Sequence, residues 1–147
     1  MNERDQEMHQ IGALPILVNP DGSIEICLIT SRGGGRWIIP KGNPISGLAP
    51  HEVAAQEALE EAGLVGQAER HCIGTFTFNR YRGGRKMNCS VDVYALKVER
   101  QLTRWNEMGQ RSVLRCNVET AMSLVSAPNL AVLINQYVDA NNYLRTG

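Results

Sequence analysis

The segment from Pro40 to Gly63, PKGNPISGLAPHEVAAQEALEEAG, constrains the fold more than any other stretch of this chain. Its second half predicts one short, alanine-rich helix with marked ends. Pro50 suits the first helical turn, where its missing N–H has no partner to lose. Gly63 suits the position just past the last turn. Strand-like segments stand on both sides. Ile11 to Val18 and Ile24 to Thr30 are apolar and β-branched, and NPDG between them, with Pro20 and Gly22, predicts a turn joining antiparallel strands.

Downstream of those strands, SRGGGRW is a flexible basic loop and WII a short apolar strand. Cys72 to Phe78 and Met87 to Val98 predict two further strands, with NRYRGGRK as the hairpin tip. RQLTRWNEMGQ is an irregular loop and RSVLR a short strand. Two helices close the chain. Asn117 caps the first, which buries Val118, Ala121, Met122 and Val125. The second starts near Pro128 and buries Leu130, Leu133, Ile134, Tyr137 and Val138 at helical spacing. Short links between strands favour a mixed sheet with helices on its faces, hence one α+β domain over residues 1–147. Residues 1–10, MNERDQEMHQ, are expected to form a polar tail.

Formal net charge is zero, so bulk attraction to nucleic acid or acidic membrane is not expected. No apolar run approaches the roughly 20 residues of a membrane span, and the polar N-terminus is not a signal peptide. The four cysteines, Cys27, Cys72, Cys89 and Cys116, form no C-x-x-C pair; reduced thiols and a cytoplasmic location are the expectation.

The chemistry lies in the helix. Residues three and four apart share a face, so Glu57, Glu60 and Glu61 project together, while Ala55, Ala58, Leu59 and Ala62 bury against the sheet. Like charges at this spacing repel. A divalent cation would reverse that sign, and Mg²⁺ favours oxygen ligands completed by water and substrate phosphate. Glutamates on helices are commonly just solvated; what favours a site is the preceding Lys41 and Gly42, since a lysine beside a carboxylate-held metal suits a phosphate-bearing substrate.

These residues resemble the Nudix box, G-x5-E-x7-R-E-U-x-E-E-x-G-U, with U a bulky aliphatic. Gly42, Glu57, Glu60, Glu61, Gly63 and Leu64 fall in register without a gap. LITSRGGGRWIIPKG and RWNEMGQRSVLRCNVETAMSLV are similar to the flanks of the box in the diphosphoinositol polyphosphate and diadenosine polyphosphate hydrolase branch, so the likeness runs from Ile11 to about Leu133. Leu48 stands where the first glutamate belongs, and Gln56 where the arginine belongs; Ala58 is small for its aliphatic slot.

The resemblance implies an α/β/α sandwich and hydrolysis of a diphosphate linkage, by water attack at phosphorus with Mg²⁺ or Mn²⁺. It implies Glu57 and Glu61 as principal metal ligands, with Glu60 and the Gly42 carbonyl beside them. Lys41 would stabilise phosphate charge. The general base would be a box glutamate such as Glu57, or Glu107 from the later loop. Arg32 and Arg36 could clamp phosphates bidentately, and Arg82, in a tip that also holds Arg80, Tyr81, Arg85 and Lys86, could grip an anionic substrate. Trp37 and Trp105 are candidates for stacking on a base. The expected substrate is small and phosphorylated: a nucleoside or dinucleoside polyphosphate, or an inositol pyrophosphate. Leu48 and Gln56 keep open an alternative, a Nudix-fold binding or regulatory module with weak or lost turnover.

Overall fold

The computed structural model describes residues 7–145. Eight strands form one mixed sheet. They are β1 (Glu7–Val18), β2 (Ile24–Thr30), β3 (Trp37–Ile38), β4 (Lys41–Gly42), β5 (Leu64–Ala68), β6 (Gly74–Arg82), β7 (Arg85–Gln101) and β8 (Val113–Asn117). Helix α1 (Pro50–Ala62) falls between β4 and β5, and α2 (Val118–Leu124) and α3 (Pro128–Ala140) follow β8. The path runs β3-β2-β1-β7-β5, with β4 on β1, β6 on β7 and β8 on β2. Among these eight strands, β1 and β7 pair in parallel and the other strand pairs are antiparallel.

Alternation along the central strands separates two apolar faces. One carries Leu14, Ile16, Val91 and Val93 and packs under α2 and α3 through Ala121, Leu130, Ile134 and Val138. The other carries Ile11, Ala13, Tyr94 and Leu96 and packs under α1 through Val53, Ala54, Ala58 and Ala62. A sheet covered by helices on both faces is the expected α/β/α arrangement.

Several boundaries differ from the sequence reading. Strand β1 begins at Glu7, so residues 7–10 are not tail: they pair with Asn88 to Val91 of the long β7. Residues 1–6 of the expected tail lie outside the described residues. The tip NRYRGGRK is mostly strand, because Gly83 and Gly84, at φ 59° and 77°, make a two-residue turn whose twist matches the strands. Asn79 to Arg82 therefore pair with Asn88 to Arg85. The mixed sequence LVGQA of β5 has no clear alternation to mark a strand, and pairing with β7 makes it one. Leu59 is exposed rather than buried, and Met122 and Leu133 only partly covered.

The helix ends follow the sequence. Pro50 opens α1, and Gly63 closes it in the left-handed region with its N–H donating to Leu59 O. Asn117 caps α2, its side chain accepting from Thr120 N at 2.8 Å.

Candidate active site

Short β4 places Lys41 and Gly42 against β1, with Gly12 opposite Lys41 and Ile11 opposite Gly42. This clamps the proline-broken loop to the sheet beside α1. A Cβ on Gly42 would overlap the Glu57 carboxylate, so glycine is what lets that side chain lie against the loop backbone. Lys41 N donates to Glu61 Oε1 at 3.2 Å, tying loop to helix. The Lys41 ammonium donates to Gln10 Oε1 at 2.9 Å and sits 4.8 Å from the centre of the Phe78 ring. Burial lowers its pKa, against the pull of Glu61.

Glu57 and Glu61 stand one turn apart on α1, both in the cleft wall. Burial, then the neighbouring Glu57 carboxyl, pushes Glu61 up to about 8. Burial also raises Glu57. Across from them, on the loop between β7 and β8, stands Glu107. Its Oε1 accepts from Arg111 Nε at 3.3 Å and Nη2 at 3.2 Å and lies 3.4 Å from Arg32 Nη2. Arg111 Nη1 donates to Thr30 O at 3.2 Å, and Nη2 stands 3.9 Å from Glu61 Oε2. The guanidinium opposes the upward shifts of Glu57 and Glu61.

These groups line a cleft of about 710 Å³. Arg36 and Arg80 are also in its wall. Apolar and aromatic side chains complete the wall: Trp37, Phe76, Phe78, Tyr81 and Leu130.

The structure thus brings Lys41, Gly42, Glu57, Glu61, Glu107, Arg32 and Arg36 to one cleft. Glu60 is not in its wall; its side chain accepts from Gln56 Nε2. At 3.6 residues per turn, Glu57 and Glu61 are about 40° apart and Glu60 about 100° from Glu61, so a cleft centred on the first two leaves the third aside. Arg82 is also absent from the wall, where Arg80 and Tyr81 stand instead. It lies in the last pair before the turn, roughly 7 Å beyond Arg80 at strand rise. Trp105 packs on Gly63 rather than lining the cleft, while Trp37 both lines it and touches the core.

Two polar residues were not singled out by sequence. Arg111 belonged to an expected strand, and Gln10 to an expected tail. No local pattern marks either one, because each acquires its partners only when distant segments meet.

The donor set suits a hard divalent cation. Two neighbouring carboxylates, Glu61 buried and Glu57 partly so, offer oxygen ligands and gain from a cation between them. Among the described residues, no group of three or more His, Cys, Asp or Glu side chains forms a closed metal cage. Backbone, water and substrate oxygens would complete such a site.

A family model described as the NUDIX domain matches residues 8–126. The chain belongs to the Nudix family. Among curated relatives, Nudix hydrolase 17, mitochondrial, of Arabidopsis thaliana is 30% identical over 118 residues, covering 76% of this chain and 63% of that protein. Nudix hydrolase 13, mitochondrial, of the same organism is 26% identical over 113 residues, covering 73% and 56%. The chain therefore spans less than two thirds of the length of either relative. In fold, the binary complex of the C. elegans Ap4A hydrolase superposes with a TM-score of 0.67 at 17% identity, covering 92% of this chain and 98% of that one. The Nudix box of this chain is thus the loop and helix that bring Gly42, Glu57 and Glu61 into the cleft wall.

Proposed function

We propose that this Nudix domain is a divalent-cation-dependent pyrophosphohydrolase that cleaves a diphosphate linkage in a nucleoside or dinucleoside polyphosphate. One observation carries the reading: a single cleft is lined both by acidic and basic side chains and by aromatic ones. The charged side chains suit a diphosphate and the aromatic ones a base. An inositol pyrophosphate has no group for the aromatic side chains. The C. elegans structural neighbour, an Ap4A hydrolase, supports the same class.

A cation held by Glu57 and Glu61, with the Gly42 carbonyl, would neutralise the diphosphate and acidify the attacking water. Lys41, held by Gln10, sets a positive charge for the phosphates. Arg32 and Arg36 provide forks for further phosphate oxygens. Glu107 takes the proton from water as the new P–O bond forms and the bridging P–O bond breaks. Mg²⁺ or Mn²⁺ is the cation proposed.

The test is phosphate release from dinucleoside polyphosphates, nucleoside triphosphates, sugar nucleotides and inositol pyrophosphates with Mg²⁺ or Mn²⁺ present. Hydrolysis confined to nucleotide substrates, and reduced at least 100-fold in Glu61→Gln, is the expected result. Near-wild-type activity in Glu61→Gln would refute the ligand assignment. A specific observation keeps a second reading in view: at the two departures from the box, Leu48 is 40% exposed and Gln56 turns to Glu60. A folded protein that binds nucleotide but turns nothing over would be the binding module.

We also propose a reducing compartment such as the cytoplasm. Cys27, Cys72, Cys89 and Cys116 are all free, and three are buried. Among the described residues, no helix is long and apolar enough to cross a membrane. Cell fractionation tests the location: recovery in an oxidising compartment would refute it.

A further inference from the structure

We propose that Arg111 is the positioning residue of the acidic cleft, standing in for the arginine that the Nudix box lacks at Gln56. Helix α1, PHEVAAQEALEEA, carries neither lysine nor arginine. Gln56 donates to Glu60, away from the cleft, so helix α1 itself brings no cation to Glu57 and Glu61. Arg111 enters from the opposite wall, on the loop ahead of β8.

Its side chain is only 9% exposed, and a guanidinium so covered needs partners for both charge and N–H groups. It has them in a fixed fork. Nη1 holds Thr30 O, Nε and Nη2 hold Glu107, and Nη2 faces Glu61. The backbone beside it is pinned as well: Ser112 N donates to Thr30 Oγ1 at 2.9 Å, and Thr30 N donates to Ser112 O at 3.0 Å. The end of β2 thus fixes both the arginine's fork and its chain.

Two consequences follow. Arg111 aims the Glu107 carboxylate along the cleft wall, and it supplies a permanent positive charge among three carboxylates, Glu57, Glu61 and Glu107. A lysine could keep the charge but not the geometry, because an ammonium cannot span Thr30 O and Glu107 as a planar fork does. The two roles therefore separate by substitution.

The inference rests on the hydrolase reading for its turnover arm alone; its binding arm stands without it. Wild type, Arg111→Ala, Arg111→Lys and the double variant Arg111→Ala/Gln56→Arg are compared. Mn²⁺ affinity is read by calorimetry, kcat and KM on a diadenosine polyphosphate, and folding by circular dichroism. With the competing charge gone, Arg111→Ala binds Mn²⁺ several-fold more tightly. Its kcat falls roughly 10- to 100-fold with little change in KM, as for other supporting residues around a metal. Arg111→Lys binds Mn²⁺ as wild type does but has the low kcat. In the double variant Gln56→Arg recovers most of the lost rate.

General damage would weaken Mn²⁺ binding and turnover together, and that pattern overturns the proposal. So does full kcat in Arg111→Lys, a loss carried by KM, or no recovery in the double variant. If Arg111→Ala does not fold, Arg111→Gln replaces it in both arms. If wild type itself hydrolyses nothing, the hydrolase reading fails, and Mn²⁺ affinity alone decides: tighter in the alanine variant and unchanged in the lysine variant upholds the inference, and any other pattern overturns it.

Discussion

At Glu61, burial and a neighbouring carboxylate act in the same direction, raising its pKa from 4.5 to about 8. A group raised on folding contributes stability that is full below its unfolded value and lost as pH climbs through the folded one. For Glu61 that window is pH 4.5 to about 8. In chelator-treated protein, the melting temperature should therefore fall across this window more steeply in wild type than in Glu61→Gln, which cannot ionise. Adding Mn²⁺ near the upper end should raise the melting temperature of wild type far more than that of the variant. Equal slopes in the two proteins would contradict the buried pair. Gly42 is the companion case. Its missing Cβ is the space that the Glu57 carboxylate occupies. Gly42→Ala should cost about 1–3 kcal/mol of stability by overpacking and displace Glu57, readable by urea denaturation together with weakened Mn²⁺ binding. Both residues were legible in the sequence, because box spacing is a local property of loop and helix. Arg111 and Gln10 were not: the first faces Thr30 and Glu107, the second Lys41.

At the scale of elements, helix α1 is closed by Gly63 at φ 69°, and the Trp105 ring lies where a Cβ would be. Gly63→Ala meets two penalties, a left-handed backbone with a side chain and a collision with an indole. The expected destabilisation is about 2–4 kcal/mol, measured by urea unfolding. Trp105 should also be displaced, which fluorescence would register as a change in its emission maximum. A variant as stable as wild type would show that the loop around Trp105 yields freely. Sequence placed both ends of α1 and the cap of α2 because these depend on side chains next to the ends. It placed the hairpin strands less well. Charge across NRYRGGRK resembled a loop, whereas two adjacent glycines make a turn so tight that the strands run almost to the tip. Glu7 to Gln10 were missed for a related reason: a polar strand gains its hydrogen bonds from β7, and that partner is invisible locally.

Across the whole molecule, the sheet separates two cores, and titratable groups inside them share one sign. Burial pushes the Cys27 thiol up to about 12 and raises Cys116 and Tyr94 as well. Tyr137 is raised by burial and then by its hydrogen bond to Glu69. For Cys27 the corresponding stability is full below about pH 9 and lost as pH rises through about 12. Alkaline unfolding should be correspondingly steep. Cys27→Ala should start less stable at neutral pH, by roughly 1–2 kcal/mol for the lost packing, yet lose less between those limits. A variant with the same alkaline slope as wild type would remove Cys27 from the account.

The sequence by itself determined the α+β class, the bounded box helix, the two closing helices and the glutamate–glycine–lysine set of the box. Each depends on spacing within one segment, where helical period and turn chemistry act over a few residues. Only the tertiary structure decided that Glu60 turns from the cleft, that Arg80 rather than Arg82 lines it, and that Arg111 meets Glu107 and Glu61. Those outcomes depend on which faces of the sheet the helices cover and on where separate loops converge. Such long-range packing leaves no period in the chain to read.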